Sequence, residues 1–221
     1  DILVYPKLIP LEEIPLPNHS RQGDVTVRRW ILDDPFLVSG VREYYYGDSF
    51  NQINWKATAR VGRMQVNNRD FTAQPKLLIY LNIDITEDMW EAVTDTERIE
   101  KGISYSASIA NYAISQGIET GFGSNGYIKG NEHESVRIPP RCSRQQLTLL
   151  FETMAKLVIK RSTTFYTFLE QDINSAISGN DILIITSFVS QRMQSQIDKL
   201  KSYDNSVEIL WLYPDDKKRE D

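Results

Sequence analysis

The sequence predicts a mainly parallel α/β sheet flanked by helices, preceded by a small β-region. Three observations carry this. Lys76–Ile83 and Asp181–Thr186 are nearly continuous apolar runs, as strands buried on both faces require. Helical periodicity separates them. Ahead of residue 75 the chain is Pro-rich and strand-like, with no amphipathic helix longer than two or three turns.

The elements follow in order. Ile2–Tyr5 reads as an apolar strand, and Val25–Leu32 partly alternates as a half-buried one does. Pro6, Pro10, Pro15 and Pro17 cut this region into short pieces. After the Lys76 strand, helical spacing runs from about Thr96 to Ser115, then Ile118–Phe122 forms a short strand. Ser143 and Gln146 have the spacing of a capping box for a helix from Arg144 to Ile159. A further helix spans Thr164 to Ile177, and Ser190 caps one reaching about Lys201. Val207–Leu212 closes the sheet. Residues 1–72 thus form the β-region, 73–214 the α/β domain and 215–221 a charged tail.

Of the 221 residues, 41% are hydrophobic, enough for a sizeable core. Lys and Arg total 25 against 30 Asp and Glu, a net charge of −5, which argues against a nucleic-acid partner. A single cysteine, Cys142, excludes an internal disulfide, and two histidines argue against a histidine-rich metal site. No run of apolar residues is long enough to span a membrane, and no signal peptide is visible. The chain starts at Asp1 and reads as an excised segment.

Several motifs carry chemistry in principle. Gly121-Phe-Gly123-Ser-Asn-Gly126 spells G-x-G-x-x-G, but turn and strand residues follow instead of the helix that a dinucleotide site needs. A hairpin that uses glycine freedom is the better reading. Asp84-Ile-Thr86-Glu-Asp88 lies at a strand's carboxyl end, where α/β folds bind ligands, and its oxygen donors suit magnesium. The plainer reading is an acidic loop in which Thr86 or Asp88 caps a helix. Asp181 precedes its strand and belongs at the opposite end, whereas Thr186-Ser187 is well placed. His133 sits in a polar loop with no evident nucleophile, and Cys142 between Arg141 and Arg144 is best read as an idle thiol.

The most specific stretch is Asp34-Pro35-Phe36, Arg42-Glu43-Tyr44, Gly47-Asp48 and Ile53-Asn-Trp55-Lys56-Ala-Thr58-Ala59-Arg60. It resembles the hallmark of the domain-of-unknown-function 58 family, D-P-F, R-E-Y-x-x-G-D and I-x-W-K-x-[ST]-A-R. One departure is Asn51-Gln52, where family members often carry basic residues. The resemblance implies a von Willebrand factor type A-like (Rossmann-like) domain, a membrane anchor outside this segment and a cytoplasmic location. It also implies a partner of the MoxR-type AAA+ ATPase class, with other von Willebrand factor type A proteins as further partners. A complete adhesion site of that type has D-x-S-x-S after its first strand. Asp84-x-Thr86-x-Asp88 resembles it in one register, while another puts Asn82 at the first Asp and breaks the site. A degenerate metal site is therefore expected.

From the residues themselves, Arg42, Glu43, Asp48, Lys56 and Arg60 flank Tyr44, Ile53 and Trp55, which are expected to be buried. Charges packed against aromatics need partners, so a charged clamp joining the two regions is predicted. Asp48 is placed to cap a helix starting at Ser49. The functional expectation is a non-enzymatic interaction module whose partners dock near Asp84–Asp88, Gly123, Asn125 and Thr186-Ser187. The alternative is a magnesium-dependent hydrolase built on the Asp84/Asp88 loop.

Overall fold

The computed structural model describes residues 3–16, 40–45, 53–68, 76–86 and 95–213. The chain divides into two units, Leu32–Gln74 on the one hand and Asp1–Ile31 with Pro75–Asp221 on the other.

In the smaller unit, β1 (Gly40–Glu43) and β2 (Gln65–Asn68) pair antiparallel, with Glu43 opposite Gln65. Between them lies helix α1 (Trp55–Val61). Asn54 caps it, accepting the Ala57 amide at 2.9 Å, and Gly62 ends it in the left-handed conformation at φ 71°. Thr58 Oγ1 accepts the Gln65 amide at 2.9 Å and ties helix to strand. Ile53 and Val66 are buried and bridge antiparallel.

The larger unit holds a five-stranded sheet of β3 (Lys76–Leu81), β4 (Glu119–Ser124), β6 (Val136–Arg141), β8 (Asp181–Thr186) and β9 (Ser206–Trp211). The order is β6-β4-β3-β8-β9, parallel except for β6. A separate ribbon pairs β5 (Gly126–Ile128) with β7 (Leu157–Arg161). This is a mixed α/β architecture compatible with a Rossmann-like fold.

Alternate residues of the central strands feed two cores, as the two-residue period of a strand dictates. Leu77, Ile79, Leu81, Leu183 and Ile185 pack with α2 (Thr96–Ser115) and α3 (Arg144–Lys156). Leu78, Tyr80, Ile182 and Ile184 pack with α4 (Phe165–Asn174) and α5 (Gln191–Ser202). Helix α2 starts on Asp95, whose carboxylate accepts the Arg98 amide at 3.1 Å. It lies close to the sheet because Gly102 leaves room: a Cβ there would stand 2.7 Å from the Leu81 side chain.

Three expectations change. Helix α3 stops at Lys156, not Ile159, because Leu157–Arg161 pairs with β5. Ser143 does cap it through the Gln146 amide at 3.0 Å. The Gln146 side chain, however, bonds the Thr120 and Pro139 carbonyls instead of returning to the cap, so only half a capping box forms. Residues 3–10 form no strand, and residues 3–16 pack on the larger unit. There the Ile9 amide donates to Ser108 Oγ at 2.8 Å and Ile14 enters the core. Proline breaks regular structure there, but the apolar side chains between the prolines still seek burial. The expected strand at 25–32 and the Asp34-Pro35-Phe36 motif lie outside the described residues. Among the described residues, no helix is long and apolar enough to cross a membrane.

Candidate functional site at the strand carboxyl ends

Strand β3 has β4 on one side and β8 on the other, and its carboxyl end opens a crevice where the strand order reverses. The three residues past β3 are drawn into this crevice. The Asn82 amide bonds the Ile185 carbonyl at 2.9 Å and prolongs the ladder towards β8. Asn82 Nδ2 donates to Thr186 Oγ1 at 3.0 Å, and Asn82 Oδ1 accepts the Asp84 amide at 2.9 Å, a local turn typical of asparagine. The Thr186 hydroxyl donates onward to the Phe188 carbonyl at 2.7 Å.

Asp84 is 3% exposed. Its Oδ2 accepts the amide of Phe165, the first residue of α4, at 3.0 Å. A carboxylate at a helix N-terminus satisfies one of the free amides there. Its Oδ1 lies 3.9 Å from Arg161 Nη1, and neither of these two buried atoms has a hydrogen-bonding partner. Burial raises the Asp84 pKa, outweighing the Phe165 amide, the Arg161 charge and Asn125, all of which favour the anion.

Asn125 is the second hub. Its Oδ1 accepts the Ile83 amide at 3.0 Å and its Nδ2 donates to the Thr163 carbonyl at 3.2 Å. Its main-chain carbonyl accepts both the amide and the hydroxyl of Ser162, at 2.8 and 3.0 Å. One buried amide therefore locks the ends of β3 and β4 to the segment leading into α4.

These placements bear on each sequence expectation. Asn82, not Asp84, directly follows the strand. Thr86 is exposed and Asp88 lies outside the described residues. Asp84 has one oxygen on an amide and the other facing a guanidinium, while the Thr186 hydroxyl is spent internally. Among the described residues no group of three acidic, histidine or cysteine side chains is placed to hold a metal. Of the expected donors, the described residues place one carboxylate, already beside a fixed cation, and that alone does not make a magnesium site. Gly123, Asn125 and Thr186, expected to meet partners, lie in the interior and brace the site from below. Ser187 is half-buried, with Oγ 3.5 Å from the Asp84 carbonyl.

The glycine motif is a packing device. A Cβ on Gly121 would stand 2.5 Å from the Ile138 carbonyl, beside the irregularity that β6 makes against β4. A Cβ on Gly123 would meet the rings of Phe168 and Tyr80. Gly126 begins β5, so no helix opens there.

The charged hallmark is not a buried clamp among its described members. Lys56 and Arg60 are exposed, and Glu43 pairs with Arg63 at 3.1 Å on the surface. Trp55 is 66% exposed, contrary to expectation, while Ile53 is buried and Tyr44 half-buried. Arg42 lies on β1 opposite Val66. Gly47, Asp48 and the helix expected at Ser49 lie outside the described residues. The residues that sequence reasoning missed are Arg161 and Ser162. No local signal marks either, because both reach the crevice only through the β5–β7 pairing.

The model of the family described as protein of unknown function DUF58 matches residues 40–210. No curated protein matches the chain.

Proposed function

The chain belongs to the DUF58 family, and from that premise we propose that it is a non-enzymatic, von Willebrand factor type A-like interaction module. It docks a partner protein at the carboxyl ends of its parallel strands, without a bridging metal ion. The observation that carries this reading is the commitment of Asp84. Its carboxylate serves as a tertiary cap for α4 and as neighbour to Arg161, so it braces the rim instead of offering free ligands. A mostly parallel sheet flanked by helices is compatible with such a module. Asn82 at the position of the first acidic ligand fits a degenerate adhesion site.

What such a scaffold offers a partner is a rim of fixed shape, with exposed Thr86 and half-buried Ser162, Thr163 and Ser187 around the crevice. Rigid presentation lowers the ordering cost of association. The partner class proposed is a MoxR-type AAA+ ATPase, and the setting is a membrane-anchored bacterial protein with this domain in the cytoplasm. Both rest on the family resemblance. The hydrolase alternative would need a metal-bound water and a general base beside Asp84; among the described residues no group of three acidic, histidine or cysteine side chains is placed to hold the metal.

The test is a direct binding titration against such an ATPase, with and without EDTA, using wild type and a Thr86→Arg/Ser187→Arg pair. Chelation is expected to leave the affinity unchanged, and the pair to weaken it by about tenfold or more. Chelator-sensitive binding, or full affinity in the pair, would overturn the proposal.

A further inference from the structure

The two edges of the five-stranded sheet are finished differently. At one edge, β6 carries Pro139 and Pro140, which bring no backbone N–H, and its register against β4 is irregular. Prolines and bulges blunt an edge against a further strand. At the other edge, β9 reads Ser-Val-Glu-Ile-Leu-Trp, with no proline, no break in register and Glu208 as its one charged residue. It pairs with β8 on one side and ends the sheet on the other.

The alternation of the strand fixes which backbone groups face outwards. The Ser206 amide donates to the Asn180 carbonyl at 3.0 Å, and the Leu212 amide to the Thr186 carbonyl at 2.8 Å. Even-numbered residues therefore turn their N–H and C=O groups to β8, and Val207, Ile209 and Trp211 turn theirs away from it. Among the described residues, no strand pairs with these outer groups. The side chains of the same three residues share one face of the sheet. Val207 lies in the core under α4 and α5, Ile209 packs against it, and Trp211 is 37% exposed. Tyr203, before the strand, and Tyr213, after it, are exposed as well.

We infer that the outer edge of β9 is a self-association surface, which pairs antiparallel with β9 of a second copy into one sheet continuous across both. Such an interface is isologous, so the strand must be complementary to itself. A two-fold axis through the edge sets residues of one face opposite residues of the same face. Centred on Ile209, it places Ile209 opposite Ile209 of the second copy, and Val207 opposite its Trp211. All three outward residues of β9 then form hydrogen-bonded pairs, each exchanging an N–H···O bond in both directions. A β-branched residue against an aromatic one is a favourable cross-strand pair, and it covers the exposed indole of Trp211. Glu208 falls opposite Leu210. Centring the axis on Glu208 instead sets two carboxylates directly opposite, which repel, and leaves Trp211 beyond the pairing partner strand. Antiparallel pairing also brings the Tyr203 end of one copy beside the Trp211 end of the other. This complementarity is a property of β9 alone, which favours a second copy over an unrelated strand. The edge takes no part in the crevice between β4, β3 and β8, so this inference and docking at that crevice fail separately.

The test is analytical sedimentation of the full chain from about 1 µM to 1 mM, with amide hydrogen exchange measured at both ends of that range. A monomer–dimer equilibrium is expected. The amides of Val207, Ile209 and Trp211 are expected to exchange fast in the monomer and to gain protection in the dimer, whereas those of Glu208 and Leu210, bonded to β8, stay protected in both. Ile209→Pro deletes one outward amide and spares the ladder with β8. It is expected to weaken association at least about tenfold, one hydrogen bond being lost from each copy. Trp211→Lys puts a charge on an exposed position of the edge and is expected to give a monomer whose fold persists by circular dichroism. Should the proline variant not fold, the lysine variant and the exchange pattern still decide. A chain monomeric throughout the range, or association undiminished by Trp211→Lys, would overturn the inference. So would a dimer whose three outward amides still exchange fast, which would use another surface, or protection of those amides in the monomer, which would mean that the edge is covered within the chain.

Discussion

Replacing Asp84 by Asn and, separately, by Ala divides the two roles of its carboxylate. Asp84→Ala removes the acceptor of the Phe165 amide at 3.0 Å and strips Arg161 of its counter-charge. A hydrogen bond to a charged group contributes about 1.5–3 kcal/mol. Isolating a buried cation costs more, but the Arg161 side chain is 23% exposed and can partly rehydrate. The expected loss is about 2–4 kcal/mol, or a fall in Tm of about 5–15 °C for a chain of this size. Asp84→Asn keeps an acceptor for Phe165 and removes the buried charge. Desolvation is the largest influence on Asp84 and raises its folded pKa above the unfolded value. Its contribution to stability is therefore greatest below the unfolded pKa and is lost as pH rises through the folded pKa. At pH 7 the Asn variant should lie within about 1 kcal/mol of wild type, or above it. As pH falls towards 4, wild type should gain on the Asn variant. Urea unfolding of all three proteins between pH 4 and 7 measures both effects. If Asp84→Asn were as damaging as Asp84→Ala at pH 7, or if wild type lost ground to it on acidification, attraction to Arg161 would outweigh burial and the reasoning would fail.

Other expectations follow from the same geometry. Asn125→Ala should cost about 2–4 kcal/mol in chemical denaturation, since it orphans the buried Ile83 amide and Thr163 carbonyl; a loss below 1 kcal/mol would mean that the hub is dispensable. Gly121→Ala should cost about 2–4 kcal/mol, because its Cβ meets a backbone carbonyl that cannot step aside, and an unchanged Tm would contradict the close approach of β6. Millimolar magnesium should leave the Tm unchanged; a rise of about 5–10 °C, which saturation to a hundredfold over Kd would give, would restore the metal site. Trp55→Ala should change stability by less than about 1 kcal/mol, given its exposure; a larger loss would show that it packs against something.

Much of the larger unit was legible along the chain. The apolar runs at Lys76 and Asp181 are strands because each must fill two cores at once, and that demand is written in consecutive residues. Ser143 and Ser190 cap helices through their own neighbours, three residues on, so local spacing sufficed to find them. The family hallmark was legible too, and its Ile53 and Thr58 serve burial and a helix-to-strand bond. What tertiary structure alone decided depends on partners far away in sequence. Leu157–Ile159 reads as the end of a helix until β5 pairs with it. Gly121 and Gly123 read as hairpin glycines, but β4 pairs with β6 and not with β5, and their missing side chains make room for β6 and two aromatic rings. Asp84 reads as one carboxylate of an acidic loop, and only the fold brings Arg161 and the Phe165 amide to it from 77 and 81 positions away. A side chain's chemistry is set by which groups surround it and how far water is excluded, and neither is a property of its neighbours in sequence.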